Sequence, residues 1–99
     1  MNTFVVSSLR VAHGKLTHVM VQQLVPRTEG GGGLINPREI DAAELEHLVA
    51  TELVFVVNWT GVGEFDLGSQ VRTSGSRFVS VGKDGIENDD LMKLPQFQG

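Results

Sequence analysis

The sequence predicts an α+β fold: a small antiparallel sheet of about five strands with one helix packed on it, in the order β-β-α-β-β-β. Two observations carry this prediction. Runs rich in valine, phenylalanine and leucine alternate with turn residues, while only one segment has helical periodicity. Strands that do not alternate regularly with helices argue against a parallel α/β sheet. At 99 residues the length is that of a single domain, residues 1–99.

The first two strands form a hairpin in this interpretation. Residues 3–12 alternate apolar side chains at period two, and residues 16–25 do the same. His13-Gly14-Lys15 separates them, and Gly14 can adopt the positive φ that a tight turn needs. Pro26 has no N–H to donate, so we expect the second strand to end there.

Residues 27–36 contain four consecutive glycines, Gly30 to Gly33. Four glycines have a high backbone entropy and no side chains to pack, which predicts a mobile loop. A tolerated insertion explains this loop better than a phosphate-binding one.

One helix is expected over residues 42–52. Asp41 can cap its first turn by accepting from the amide three residues later. Leu45, Leu48 and Val49 then share one face at helical spacing, and this face needs a sheet to cover.

The rest of the chain predicts three more strands. Residues 53–59 are the most hydrophobic run and read as a central strand buried on both faces. Residues 64–73 and 76–82 form a further pair joined by a Ser74-Gly75 turn, and residues 88–94 suggest one short helical turn.

Composition and charge exclude several classes of function. The chain has no cysteine, which rules out disulfides and thiolate zinc sites. Its net charge of −4 disfavours non-specific binding to nucleic acid. Residues 1–38 nevertheless carry four cations and one acid, so a basic patch can exist there. No signal peptide or membrane-spanning run is evident, and together with the absence of cysteine this leads us to expect a cytoplasmic protein.

No catalytic, metal or cofactor motif emerges, so we expect neither an enzyme nor a bound cofactor or metal. The acid-rich segment 84–90 lacks calcium-loop spacing, and a turn followed by an Asn/Asp helix cap explains it better. His13, His18 and His47 lack metal-ligand spacing and are interpreted as surface residues. Gly61-Val62-Gly63 lacks both the third glycine and the helix of a dinucleotide site. A site assembled from residues remote in sequence stays open as an alternative.

Aromatic residues are scarce, and no tyrosine is present. Only Trp59, Phe65 and Phe78 could stack on bases, and core packing is the preferred interpretation for all three.

Residues 77–95, from Arg77-Phe78-Val79 through Lys83-Asp84-Gly85 to Leu94-Pro95, resemble the ending of a family of small bacterial domains of unknown function. Members typically finish with a strand, an Asp-Gly turn, an Asn-Leu or Asp-Leu pair and a Leu-Pro. This chain differs by having Phe78 where an exposed aromatic hydroxyl is usual, and by its glycine loop. The resemblance implies a small bacterial α+β protein and transfers no catalytic residue.

The function expected by elimination is a non-enzymatic protein-interaction module. It would bind a protein partner, or a second copy of itself, through a sheet edge or the first hairpin. The alternative is a nucleic-acid-binding protein that uses Arg10, Lys15, His18 and Arg27.

Overall fold

The computed structural model describes residues 2–26, 32–61, 64–75 and 77–97. Its strands form one mixed seven-stranded sheet in the order β3-β2-β1-β4-β5-β6-β7. The elements in chain order are β1 (Thr3–Ala12), β2 (Lys15–Pro26), β3 (Gly32–Asp41), α1 (Ala42–Thr51), β4 (Leu53–Gly61), β5 (Glu64–Ser74), β6 (Arg77–Val81), β7 (Glu87–Asn88) and a final 3-10 helix (Leu91–Lys93).

The α+β class and the single helix packed on a sheet are confirmed, but the expected five antiparallel strands are wrong. The sheet has seven strands, and β1 and β4 pair in parallel from Thr3 opposite Leu53 to Val6 opposite Val56. Every other strand pair is antiparallel. The parallel pair arises because α1 carries the chain from β3, at one edge, back to the free side of β1.

The first hairpin has the predicted turn. His13 and Gly14 both have positive φ, at 54° and 75°, which is the backbone of a type I′ turn between paired strands. Glycine adopts a positive φ without a steric penalty, which explains Gly14.

Part of the predicted glycine loop is a strand. Residues 27–31 lie outside the described residues, whereas Gly32 and Gly33 belong to β3 and pair with Pro26 and Val25. The expected loop is therefore wrong over residues 32–36. As the edge strand, β3 pairs with β2 alone, so it tolerates glycines, Pro37 and a bulge where Asn36 has a φ of 53°.

Helix α1 follows the prediction closely. The Asp41 carboxylate accepts from the Glu44 N–H at 2.9 Å and caps the first turn. Leu45 and Leu48 are buried against the sheet. They join one apolar core of Val6, Leu9, Val19, Val21, Ile40, Val54, Val56, Val71 and Leu91.

The C-terminal segment, residues 82–97 after β6, also packs on this core. Leu91, in the 3-10 helix, is buried with the α1 residues. The chain then reaches β1, where the Leu9 N–H donates to Pro95 at 2.9 Å and the Phe97 N–H donates to Leu9 at 2.8 Å. Gln96 thereby pairs in parallel with Leu9, on the edge of β1 where pairing with β4 has ended at Val6.

Within the described ranges, no helix has both the length and the apolar character needed to cross a membrane.

Candidate functional site

A two-stranded ribbon extends beyond the rest of the sheet. Residues 57–61 of β4 and 64–67 of β5 pair with each other, and no other described strand pairs with them. Pairing of β4 with β1 stops at Val56, and pairing of β5 with β6 begins only at Gln70. We call these two stretches the arm. Their outer edges carry backbone N–H and C=O groups with no partner strand in the described chain.

An aromatic pair lies across the arm. Trp59 and Phe65 are opposite each other in the register, with ring centroids 6.2 Å apart and planes inclined by 73°. This is the edge-to-face geometry that aromatic rings prefer. Trp59 is still 55% exposed, so its predicted core position is wrong. Phe78, in contrast, packs against the core as expected.

The arm is acidic as well as aromatic. Glu64 and Asp66 are exposed on β5, and neither takes part in an ion pair with a described residue. The surrounding sequence shares this bias, because residues 39–71 contain no lysine or arginine. The same stretch contains seven acids: Glu39, Asp41, Glu44, Glu46, Glu52, Glu64 and Asp66.

A cleft of about 750 Å³ lies at the base of the arm, between β4–β5 and the C-terminal segment. Its lining includes Asn58 and Leu67 from the arm and Lys83, Asp90 and Lys93 from the C-terminal segment. It is larger than a second hollow of about 510 Å³, which is lined in part by Asp66 and Leu67.

The polar side chains at this cleft form a hydrogen-bond network with one another. The Ser69 hydroxyl donates to the Asp90 carboxylate at 2.7 Å, and the Asn88 amide donates to Ser69 at 3.0 Å. Ser80 is fully buried and donates to the Asn88 Oδ1 at 2.6 Å, while the Leu91 N–H donates to Ser80 at 3.1 Å. These hydrogen bonds between Ser69, Asn88 and Asp90 attach the C-terminal segment to the sheet.

The network modifies the interpretation of the acid-rich segment. Asp84 accepts from the Ile86 N–H, which makes the expected turn. Asp90 stands at the N-terminus of the 3-10 helix but makes no side-chain capping bond, because its carboxylate accepts from Ser69 instead. Asn88 instead accepts from the Asp90 N–H at 3.0 Å, so the asparagine and not Asp90 makes the side-chain bond at the start of this turn.

The residues proposed for nucleic-acid binding are only partly brought together. Arg10 and His18 are neighbours across β1 and β2. Glu39 approaches both side chains, at 3.3 Å from Arg10 and 3.9 Å from the imidazole of His18. Arg10 also lies over the ring of Phe97, 5.2 Å from its centroid. Its charge is therefore already engaged by a carboxylate and a π face.

The other predicted cations do not complete this group. Lys15 is exposed at the end of the first hairpin, where it pairs with Ala12. Arg27 lies outside the described residues. His13 and His47 are exposed, as expected. No three potential metal ligands cluster within the part of the chain that the structure describes.

Sequence reasoning missed both the arm and the polar network. A signal for the arm existed in Gly61 and Gly63, which lie between the aromatic residues Trp59 and Phe65 in the sequence. Strand length alone, however, does not show which strands have neighbours. No signal could have found the network, because Ser69, Ser80 and Asn88 come together only through the sheet register.

No protein-family model, curated protein or solved structure was found to match this chain.

Proposed function

We propose that this chain is a non-enzymatic protein-interaction module that binds another protein through the arm. The observation that carries the proposal is the 55% exposure of Trp59 on a ribbon whose outer edges have no described partner strand. Tryptophan is enriched among the residues that dominate binding energy at interfaces. Unpaired strand edges are also the sites at which a partner can add a strand.

The exposed area is large enough to contribute to binding. A tryptophan side chain buries about 150–250 Å² when fully covered. At about 25 cal/mol per Å², covering the exposed half of Trp59 would contribute roughly 2–3 kcal/mol. Two-stranded ribbons are marginal in water by themselves, so a partner strand would also stabilise the arm.

The arm is a better docking surface than the first hairpin. In the sheet, β1 lies between β2 and β4, and β2 lies between β1 and β3. Most of the backbone of that hairpin is therefore already paired. The arm also supports a protein partner over nucleic acid, because its exposed charges are the carboxylates of Glu64 and Asp66.

Trp59 provides a direct test. It is the only tryptophan, and the chain has no tyrosine, so intrinsic fluorescence reports on the arm alone. We would use the purified protein as bait in lysate and then titrate each retained protein while recording Trp59 emission. A blue shift that saturates at a fixed stoichiometry is expected, because burial removes the indole from water.

The matched variants are Trp59→Ser on the arm and Ile35→Ser on β3, where Ile35 is another exposed large apolar side chain. The proposal requires that Trp59→Ser abolishes retention and that Ile35→Ser does not. Equal retention by both variants would overturn it.

A further inference from the structure

We infer that the arm binds an extended partner segment that alternates apolar and cationic side chains, added along the outer edge of β5. This inference rests on the proposed function and names the chemistry of the partner.

The unpaired edge of β5 has room for such a segment. Pairing with β6 begins at Gln70, so residues 64–67 have no described strand beside them. Beyond Val81 the chain turns away through Gly82 and Lys83. A hollow of about 510 Å³ extends from the paired residues Phe55, Gln70 and Val81 towards the arm. Asp66 and Leu67 line this hollow. A strand placed beside residues 64–67 would continue the line of β6.

Side-chain alternation along β5 specifies the pattern of the partner. Successive residues of a strand point to opposite faces, so Phe65 and Leu67 lie on one face while Glu64 and Asp66 lie on the other. Exposure follows this alternation, because both acids are exposed and both apolar residues are half-buried. An added strand likewise alternates, so one set of its side chains would meet the aromatic face and the other set the carboxylates.

The carboxylates of Glu64 and Asp66 favour cationic side chains on the face of the partner strand that meets them. Glu64 and Asp66 have no cation partner among the described residues. Asp66 accepts only from the N–H of the adjacent Leu67, at 3.1 Å, through one of its two oxygens. Lysine or arginine opposite these acids would be favourable, whereas glutamate there would be repelled.

Two cations of this chain limit the position of the basic residues. Arg72 and Lys83 line the hollow at the end next to the rest of the sheet. The partner's cations should therefore lie opposite Glu64 and Asp66, with neutral or acidic residues at the end of the segment nearest Arg72 and Lys83. This charge order also argues against the pairing of two arms, because their acids would face each other.

The test uses three short synthetic peptides in which valine alternates with a second residue. At the positions that would lie opposite Glu64 and Asp66, this second residue is arginine in one peptide, glutamate in another and serine in the third. Trp59 emission reports binding, and hydrogen exchange at residues 64–67 reports strand addition. We expect the arginine peptide to bind saturably and protect these amides, and the glutamate peptide to bind roughly tenfold more weakly or not at all.

The control variants separate charge from shape. The double change Glu64→Gln with Asp66→Asn should weaken binding of the arginine peptide roughly three- to tenfold. Glu46→Gln, which removes an exposed acid from α1, should leave it unchanged. Equal binding of all three peptides, or no loss in the double variant, would overturn the inference.

The outcome is distinguishable from failure of the proposed function. If Trp59→Ser abolishes retention of a natural partner but the arginine peptide does not bind, only the charge inference is wrong. If Trp59→Ser retains every partner, the arm is not the docking surface and both proposals fail.

Discussion

The β1–β2 and β4–β5 hairpins are both rich in apolar residues, but part of the second lies in a different environment. In the β1–β2 hairpin, Val6, Leu9 and Val19 are fully buried. In the β4–β5 hairpin, the half nearer Gly61 exposes Trp59, its largest apolar side chain. The first hairpin is covered by α1 and the C-terminal segment and is flanked by further strands, whereas the arm is flanked by none that the structure describes.

The difference shows that apolar content does not determine burial in a sheet. A strand buries its side chains when neighbours flank it and another layer covers its face. Residues 53–56 of β4 meet both conditions, and residues 57–61 lose the neighbouring strand β1. One strand therefore passes from core to surface within a few residues.

The largest loss in the free energy of unfolding is expected for a substitution in the first hairpin. Leu9→Ala removes a fully buried side chain from the core, and we expect a loss of about 2–5 kcal/mol in the free energy of unfolding. Urea unfolding followed by far-ultraviolet circular dichroism measures it. A loss below about 1 kcal/mol would mean that the first hairpin is packed no better than the arm.

A smaller loss in the free energy of unfolding is expected for a substitution at Gly68, where the arm meets the rest of the sheet. A Cβ added at Gly68 would lie 2.8 Å from the carbonyl oxygen of Val56, a backbone atom that cannot easily move. Gly68→Ala should therefore cost about 1–3 kcal/mol by overpacking. Gly61→Ala is the control, because the atom nearest its added Cβ is the flexible carboxylate of Glu64, at 3.2 Å. Equal costs for both changes would show that the junction is not tightly packed.

Ser80→Ala tests the attachment of the C-terminal segment. The change leaves the Leu91 N–H without its acceptor, which should cost about 1–2 kcal/mol and speed hydrogen exchange at that amide. The arm amides should keep their exchange rates. Ser74→Ala, at an exposed position of the β5–β6 hairpin, should change neither quantity. Unchanged exchange at Leu91 in Ser80→Ala would contradict the role given to the network.

The smallest effect on stability is expected for Trp59→Ser, at no more than about 1 kcal/mol. The lost packing is mainly that against Phe65, since Trp59 is 55% exposed. Thermal unfolding by circular dichroism checks this value. A cost as large as that of Leu9→Ala would show that Trp59 holds the fold together and is not reserved for a partner.

Features set by neighbouring residues in the chain were predictable. The Asp41 cap and the apolar face of Leu45 and Leu48 defined α1 to within one residue at its C-terminal end. Gly14 and Pro26 likewise marked the turn and the end of β2. In each case the determining contact lies within one turn of helix or one hairpin.

Features set by distant neighbours were not predictable. Strand β3 was hidden because glycines and Pro37 have low strand propensity, which an edge position tolerates. The parallel pairing of β1 with β4 depends on where α1 delivers the chain. The candidate site was missed for the same reason, because the exposure of Trp59 follows from the strands that are absent beside it among the described residues.

The pairing of residues 95–97 with β1 also affects when the protein can finish folding. A chain leaves the ribosome N-terminus first, so Leu9 emerges long before Phe97. The parallel β1–β4 contact is likewise distant in sequence, which raises the contact order and slows folding. The backbone hydrogen bonds of Leu9 with Pro95 and Phe97 therefore form only after residue 97 has been synthesised, and β1 lacks them until then.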